Sequence, residues 1–355
     1  MKEKYKLENL DRYTINFLEY NCYVYSKYNL GDMWEDISIP YFTITKNDNN
    51  CSCKYTFYVD DDLLHSKEKI QFKLIPIREI NLHCKLQGKL YSNETDESII
   101  IRNDENALYQ IINLDSESII KCKYKEFNKS ISLDLFRLVR GVLEGLARNK
   151  YMLKSHMSCV SIRKQCVSFV GVEGAGKTSF MLSCLKQFSE AELLTNDKSL
   201  LEYNTDAKIR VIGLPYAVSI GQGALEHCNE IKMDDDIRII DDEIYIWHTK
   251  LVSYLNKKVS MNSELGVIVQ VEINPDINKL QLQEITDYNE KANLIEKDIL
   301  SFSDKVTPYW LLEMLNINIS KNEIIRQQLL KQKFYKLYGN PWIKSYKEIL
   351  YKLLD

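Results

Sequence analysis

One segment of the sequence has the residue types and the spacing of a phosphate-binding loop. Residues 171–178 read Gly-Val-Glu-Gly-Ala-Gly-Lys-Thr and match the pattern G-x-x-x-x-G-K-[ST]. Glycines let the backbone N–H groups converge on a β-phosphate, and the lysine at the start of the next helix reaches the β- and γ-phosphate oxygens. The hydroxyl of Thr178 can bind Mg²⁺. The segment therefore predicts a nucleotide site that also binds Mg²⁺.

The expected nucleotide contacts are the residues of the loop and of the helical turn that follows it. They are Gly171, Glu173, Gly174, Ala175, Gly176, Lys177, Thr178 and Ser179. The context also fits the pattern, because an apolar strand is predicted at 166–170 and an apolar helix at 177–188. A chance match is disfavoured, since only 12 of the 355 residues are glycine. A loop of this kind does not by itself identify a reaction.

Polar residues flank the loop at distances that suggest a shared site. His156 lies 15 residues before Gly171, and Asn196-Asp197 lie 19 and 20 residues after Lys177. The pair follows a short apolar run at 192–195 that is predicted to be a strand. An acid at the end of a neighbouring strand is expected to bind Mg²⁺ or to accept a proton. The predicted metal contacts are therefore Thr178 and Asp197.

These segments resemble the HPr kinase/phosphorylase family, which shares its nucleotide core with phosphoenolpyruvate carboxykinase. His156, the loop, Asn196-Asp197 and the segment 210–215 (Arg-Val-Ile-Gly-Leu-Pro) follow one another in the family's order. The resemblance is closer still to the HPr-kinase-like proteins of peptide-modifying systems, some of which phosphorylate a serine of a precursor peptide. It covers about residues 133–240, and no match to the regulatory domain of the HPr enzymes is visible in the first 130 residues.

The resemblance implies catalytic roles for Lys177, Asp197 and His156. Lys177 is expected to hold the β- and γ-phosphates, Asp197 to be the second Mg²⁺ contact or the base, and His156 to line the site near the phosphates. Two positions depart from the family's pattern. Asn196 stands where the family has the first acid of a pair, which leaves one carboxylate and bears on reversible phosphorolysis. Ile212 stands where an arginine is expected, and Arg210 is the candidate replacement as a transition-state cation.

The leading functional hypothesis is an ATP- and Mg²⁺-dependent kinase that phosphorylates a hydroxyl, with serine of a peptide or protein as the preferred acceptor and a precursor peptide as one candidate. Two alternatives remain open. The chain could be a nucleotide-gated switch or a slow ATPase, which Asn196 favours. The same residues could also serve a kinase of a small metabolite, because they do not identify the acceptor.

The predicted elements around these residues indicate an α/β fold (α+β overall) of two domains. Residues 1–130 alternate short β-branched and aromatic runs (55–59, 70–75, 99–101 and 119–124) with polar clusters, which predicts a mainly antiparallel β-rich recognition or docking domain. Residues 131–355 are predicted to form the nucleotide-binding kinase domain, a mixed sheet with flanking helices.

Within the second domain, apolar residues at helical spacing predict a helix over 133–149. Strands are predicted near 193–194, at 209–212 and at 267–272. A helical tail is predicted from residue 322, with an interruption at 339–341. His227 and His248 have no carboxylate at a fixed spacing, so we interpret both as structural.

Composition excludes several other classes of protein. The chain has 47 Lys and Arg against 50 Asp and Glu, a net charge of −3, which argues against nucleic acid as a partner. No apolar run approaches the roughly 18 residues of a membrane-spanning helix, and the charged N-terminal segment is unlike a secretory signal. The nine cysteines show no C-x-x-C spacing and are expected to be free thiols. We therefore expect a cytoplasmic protein; a homo-oligomer is compatible with the sequence but nothing in it supports one.

Overall fold

The structure is a computed structural model that describes residues 10–47, 52–60, 75–83, 86–92, 98–102, 106–204, 206–234, 237–240, 242–300 and 307–354. The described residues divide into two compact units. Unit 1 consists of the described residues within Met1–Ser38, Phe42–Lys150 and Asp304–Ile319. Unit 2 consists of the described residues within Ile39–Tyr41, Tyr151–Ser303 and Ser320–Asp355. Both units contain helices and strands, which confirms the mixed α/β fold class.

The strands of the described residues are β1 Asp11–Phe17, β2 Tyr20–Ser26, β3 Thr43–Lys46, β4 Tyr55–Asp60, β5 Ile75–His83, β6 Leu86–Ser92, β7 Ser98–Arg102, β8 Ala107–Asn113, β9 Ser118–Tyr124, β10 Met152–Ser155, β11 Ser158–Ile162, β12 Gln165–Val170, β13 Glu192–Thr195, β14 Ser199–Tyr203, β15 Ile209–Gly213, β16 Val218–Gly221, β17 Arg238–Ile240, β18 Glu243–Ile246, β19 Asn262–Ile273, β20 Gln281–Glu284 and β21 Lys333–Gly339. The helices are α1 Leu30–Ser38, α2 Lys129–Lys150, α3 Lys177–Gln187, α4 Gln222–Leu225, α5 His248–Tyr254, α6 Tyr288–Leu294, which continues as a π-helix over Ile295–Leu300, α7 Tyr309–Met314, α8 Glu323–Leu330 and α9 Tyr346–Leu354.

Unit 1 is built on one sheet with the strand order β3-β1-β2-β4-β9-β8-β7-β6-β5. Three of the predicted runs are strands β4, β7 and β9. Most neighbours pair antiparallel, as expected, but β4 runs parallel to both β2 and β9, so the sheet is mixed. The fourth predicted run, 70–75, lies outside the described residues except for Ile75, where β5 begins.

Unit 2 is built on a sheet with the order β10-β14-β15-β19-β12-β11-β13. In the same sheet, β21 also pairs with β19, and β20 pairs with β21. A separate three-stranded sheet has the order β16-β18-β17. β12 runs parallel to β19, and β11 runs antiparallel to both β12 and β13. The carboxyl ends of β12, β19 and β13 therefore meet the amino end of β11 at one edge of the sheet.

Apolar side chains cover both faces of this sheet and so hold that edge in place. Phe169 of β12 packs with Phe180 of α3 on one face. Val170, the next residue, packs with Ile299 of the π-helix and Ile325 of α8 on the other face. The alternation follows from the period of two along a strand. The helix after the loop and the π-helix thus lie on opposite faces of β12.

The prediction of a helical tail is wrong for one segment. Residues 323–330 and 346–354 are helical, but Lys333–Gly339 form β21, which pairs parallel with β19 over its whole length. Phe334 and Leu337 of β21 are buried in the apolar clusters on the two faces of the sheet. The partner of β21 lies 66 residues earlier in the chain, so no adjacent turn marks this segment as a strand. Strand preference depends on the sheet that receives the segment.

Two further features concern membrane-spanning helices and the cysteine thiols. No helix in the described part of the chain is long and apolar enough to cross a bilayer. The cysteines that the structure describes are free thiols, as predicted: Cys22, Cys53, Cys122, Cys159, Cys166, Cys184 and Cys228. Burial raises the pKa of several of these thiols, Cys184 among them, so they behave as small apolar core residues.

His248 is buried at the start of α5, and it makes the stability of unit 2 dependent on pH. Its Nε2 lies 2.6 Å from the carbonyl oxygen of Ile39, to which the neutral ring donates. Burial lowers the pKa of His248 to about 4, against a weaker upward effect of that carbonyl. The unfolded chain, with a pKa of about 6.5, binds more protons between these values, so stability rises with pH across this window.

We therefore expect the free energy of unfolding to fall by roughly 3 kcal/mol between pH 7 and pH 4 through this residue alone. The measurement is urea unfolding of wild type and His248→Gln at both pH values, because the difference between the two proteins isolates His248 from the carboxyl groups. His227→Gln, which changes an exposed histidine, is the matched control. A pH-dependent loss of the same size in His248→Gln would contradict this account.

Candidate functional site

The loop between β12 and α3 has the backbone of a tight anion-binding turn. Gly171, Gly174 and Gly176 have φ angles of 145°, 81° and 95°, which L side chains rarely adopt. Ile273, the last residue of β19, donates its N–H to the carbonyl of Ala175 at 2.9 Å. A Cβ on Gly176 would lie 2.7 Å from the Cβ of Ile273. The neighbouring strand β19 thus fixes the backbone conformation of the loop. Glycine is required at 176 because of its positive φ and because a Cβ there would clash with Ile273.

Gly176→Ala is expected to weaken nucleotide binding at least about tenfold. The left-handed backbone costs about 1–2 kcal/mol with a Cβ, and the contact with Ile273 adds to it. Titration of a fluorescent ADP analogue, with thermal unfolding as a check on folding, measures the effect. Gly223→Ala is the control, because a Cβ there would meet no atom within 4 Å. Unchanged affinity in Gly176→Ala would contradict the loop's assignment.

Lys177 closes over the loop at the first position of α3. Its Nζ donates to the carbonyl of Gly171 at 2.8 Å and to that of Val172 at 3.1 Å. Burial lowers the pKa of this lysine, while the carboxylates of Asp197, Asp298 and Glu173 act in the opposite direction. Among the residues that the structure describes, no side chain caps the first turn of α3. Uncapped N–H groups beside a lysine form an arrangement that binds anions.

The hydroxyl of Thr178 is held by a buried amide. Thr178 Oγ1 donates to Asn196 Oδ1 at 3.2 Å, and Ser158 Oγ donates to the same oxygen at 2.8 Å. Asn196 follows β13 and Ser158 begins β11, which are paired neighbours. Ser158 and Asn196 are 1% and 4% exposed, so the amide is a fixed support for the hydroxyl. Asn196 therefore orients the hydroxyl of Thr178 without adding charge.

Asp197 lies in a strained turn and is paired with two basic side chains. Its φ is 71°, and the N–H of Lys198 donates to the carbonyl of Asn196 at 2.9 Å, which closes the turn. His156 Nε2 lies 2.6 Å from Asp197 Oδ1, and Lys198 Nζ lies 3.0 Å from Oδ2. Partial burial raises the pKa of Asp197, but the hydrogen bond from His156 and the charge of Lys198 outweigh it and hold the pKa well below its usual range. Asp197 is therefore a carboxylate at every physiological pH.

The structure brings most of the predicted site residues together at one sheet edge. His156 contacts Asp197, Thr178 contacts Asn196, and the charge of Asp197 acts on Lys177. Ser179 is buried in the first turn of α3, and Glu173 is exposed on the loop.

The expectation that Arg210 could act at the phosphates is wrong. Arg210 Nε donates to Glu202 Oε2 at 2.7 Å, and Arg210 pairs in register with Glu264 of β19. Glu264 is in turn opposite Gln165, at the start of β12, so Arg210 lies at the end of the sheet away from the loop. The cause is the antiparallel register of β14 and β15, which places Gly213 rather than Arg210 beside Ser199.

Sequence reasoning missed four residues of this edge. Lys198 could have been found, because it directly follows the predicted acid. Gln270 is the one polar residue in the apolar run 267–271, which is a signal of a special position. Ser158 could also have been found, because it stands two residues after His156 in a His-x-Ser segment, whereas Asp298 carries no comparable signal. Asp298 becomes visible only in the structure, where Gln270 Nε2 donates to its Oδ2 at 3.4 Å.

The residues present fit a Mg²⁺ ion bound together with phosphate. In the parts of the chain that the structure describes, no three His, Cys, Asp or Glu side chains form a metal cage. A complete cage is unnecessary, because Mg²⁺ at nucleotide sites takes one or two protein oxygens and completes its shell with phosphate and water. Thr178 and Asp197 offer such hard oxygen donors.

No family model and no curated protein matches the chain. Among solved structures, the chain is similar to the Hpr(Ser) kinase/phosphatase from Coxiella burnetii, with 11% identity and a TM-score of 0.27, over 56% of this chain and 92% of that chain. A similarity of this extent supports no assignment of activity.

Proposed function

We propose that the chain is an ATP- and Mg²⁺-dependent kinase that transfers the γ-phosphoryl group to a hydroxyl, with serine of a peptide or protein as the preferred acceptor. The observation that carries the proposal is one constellation at the sheet edge. A lysine folded over a glycine-rich turn, the hydroxyl of Thr178 and the carboxylate of Asp197 are held there together. These are the groups that phosphoryl transfer needs for positioning and charge stabilisation.

Each residue has a distinct role in this proposal. Lys177 and the loop N–H groups bind the β- and γ-phosphates, and Thr178 and Asp197 bind Mg²⁺, which neutralises phosphate charge when it is present. A carboxylate whose pKa is held low is a weak proton acceptor. Asp197 therefore serves as a metal contact and as the group that orients the acceptor hydroxyl. His156 fixes Asp197 through the 2.6 Å contact with Oδ1.

We further propose that residues 131–355 act as the kinase domain and residues 1–130 as a recognition or docking domain. The support for the second role is the sheet of unit 1, in which β3 and β5 are the end strands. An end strand offers unpaired backbone groups to which an extended peptide can add. A precursor peptide is one acceptor of this kind.

A second candidate function is a nucleotide-gated switch or a slow ATPase. Asn196 favours it, because the amide supports Thr178 but gives no second charge beside Asp197. A kinase of a small metabolite would use the same residues as the leading proposal and would differ only in its acceptor.

ADP release with and without candidate acceptors separates these functions. The kinase proposal expects slow ADP release from ATP alone and a rate that rises with acceptor concentration. A slow rate that no acceptor raises, with ATP bound, would overturn the proposal in favour of the switch.

A further inference from the structure

A buried carboxylate from a distant part of the chain lies beside the proposed phosphate site. Asp298 is on the π-helix Ile295–Leu300 and is 9% exposed. Its neighbours Ile295 and Ile299 pack into the apolar cluster on one face of the sheet of unit 2. A charge in such surroundings is costly unless other groups compensate it. π-helical turns occur often at functional sites, where they redirect a side chain.

The π-helix contacts strand β19 and the short segment between β10 and β11. Gln270 of β19 donates to Asp298 Oδ2 at 3.4 Å and pairs in register with Val170, which directly precedes Gly171. The carbonyl of Ile299 accepts the N–H of His156 at 2.8 Å. These two contacts place Asp298 between the start of the phosphate loop and the histidine that contacts Asp197.

The charge of Asp298 acts on the loop lysine. Together with Asp197 and Glu173 it opposes the effect of burial on the pKa of Lys177. The hydrogen bond from Gln270 comes from a neutral amide and is long, so it compensates a buried carboxylate only in part. A cation or a bound Mg²⁺ at the phosphates would complete the compensation.

We propose that Asp298 is the second carboxylate of the Mg²⁺–phosphate site and takes the part of the acid that is missing at Asn196. This inference rests on the proposed function. Asp197 is on the turn after β13, and Asp298 contacts Gln270 of β19, which lies on the other side of β12 in the sheet. The site then has two carboxylates, Asp197 from the Asn196-Asp197 pair and Asp298 from the π-helix.

Calorimetric titration with ADP, once with Mg²⁺ and once with EDTA, tests the proposal without relying on activity. In Asp298→Asn we expect the factor by which Mg²⁺ strengthens ADP binding to fall about tenfold. Binding in EDTA should stay equal or become tighter, since a negative charge near the phosphates is removed. Glu296→Gln is the matched control, because Glu296 lies on the same π-helix but pairs with Arg326, and its side chain is 55% exposed.

A second variant makes the test independent of a folding defect. Asn196→Asp combined with Asp298→Asn returns a carboxylate to the site at its other flank, and we expect the Mg²⁺ effect to recover. If Mg²⁺ strengthens ADP binding by the same factor in Asp298→Asn as in wild type, the proposed role of Asp298 is overturned, but the proposed function is not. No recovery in the double variant would also overturn the role of Asp298. Wild type that binds no nucleotide would overturn the proposed function as well.

Discussion

Lys177→Ala is expected to reduce phosphoryl transfer at least about a hundredfold. The Nζ of Lys177 lies within hydrogen-bonding distance of the Gly171 and Val172 carbonyls, so it is positioned over the loop before any ligand binds. In the proposed reaction its charge stabilises the negative charge that gathers on the γ-phosphoryl oxygens during transfer. Its loss should also weaken ATP binding, because the phosphates lose a cation that is partly shielded from water.

The measurement for Lys177→Ala is the initial rate of acceptor phosphorylation at saturating ATP. Lys186→Ala is the matched control. Lys186 lies on the same helix, at its far end, and its Nζ pairs with Glu230 at 2.9 Å. We expect this control to keep its rate within about twofold of wild type, since surface ion pairs contribute little. Transfer by Lys177→Ala at the wild-type rate would exclude the loop as the phosphate site.

Asp197→Asn is expected to reduce transfer about a thousandfold and to change ADP affinity, measured in EDTA, only a few-fold. Asparagine adopts a positive φ readily, so the turn is kept and the change removes charge rather than shape. In the proposed site Mg²⁺ would lose a charged ligand, and His156 and Lys198 lose their common partner. The variant should therefore bind nucleotide and fail at the reaction.

Measurement of kcat and of ADP affinity for wild type and Asp197→Asn tests whether the variant loses transfer but keeps nucleotide binding. Asp242→Asn is the control, because Asp242 is an exposed aspartate with a similar φ of 65°. The pH profile gives a second readout. Because its pKa is held well below the usual range, Asp197 stays ionised, and we expect no loss of rate from this carboxyl between pH 5 and 8. Full turnover by Asp197→Asn would show that another group has this role.

The loop could be predicted from the sequence because its information is local. The residues that bind phosphate, the strand before them and the helix after them are contiguous, so the pattern of 171–178 specifies both the geometry and the chemistry. The helix predicted at 133–149 and observed at Lys129–Lys150 is a comparable case, since an amphipathic helix shows its period within the segment.

The contacts that complete the site depend on strand order and register, which local patterns do not contain. The spacing of His156 and Asp197 suggested a shared site, but the pairing of β11 with β13 is what brings their segments together. Register also explains the failed expectation for Arg210, which is on the predicted strand but at its wrong end. The proposed role of Asp298 could not be predicted, because Asp298 is on a π-helix and its contact with Gln270 of β19 is visible only in the structure.

Intact-mass spectrometry of candidate acceptors, incubated with the protein, ATP and Mg²⁺, tests the central claim most directly. The acceptors are peptides encoded beside the gene, the general phosphocarrier protein and free serine. We predict that a peptide or protein acceptor gains one phosphate and that the gain is absent with Lys177→Ala. A gain on free serine alone would instead indicate a metabolite kinase. ATP binding without phosphate on any acceptor would contradict the claim that this chain is a kinase.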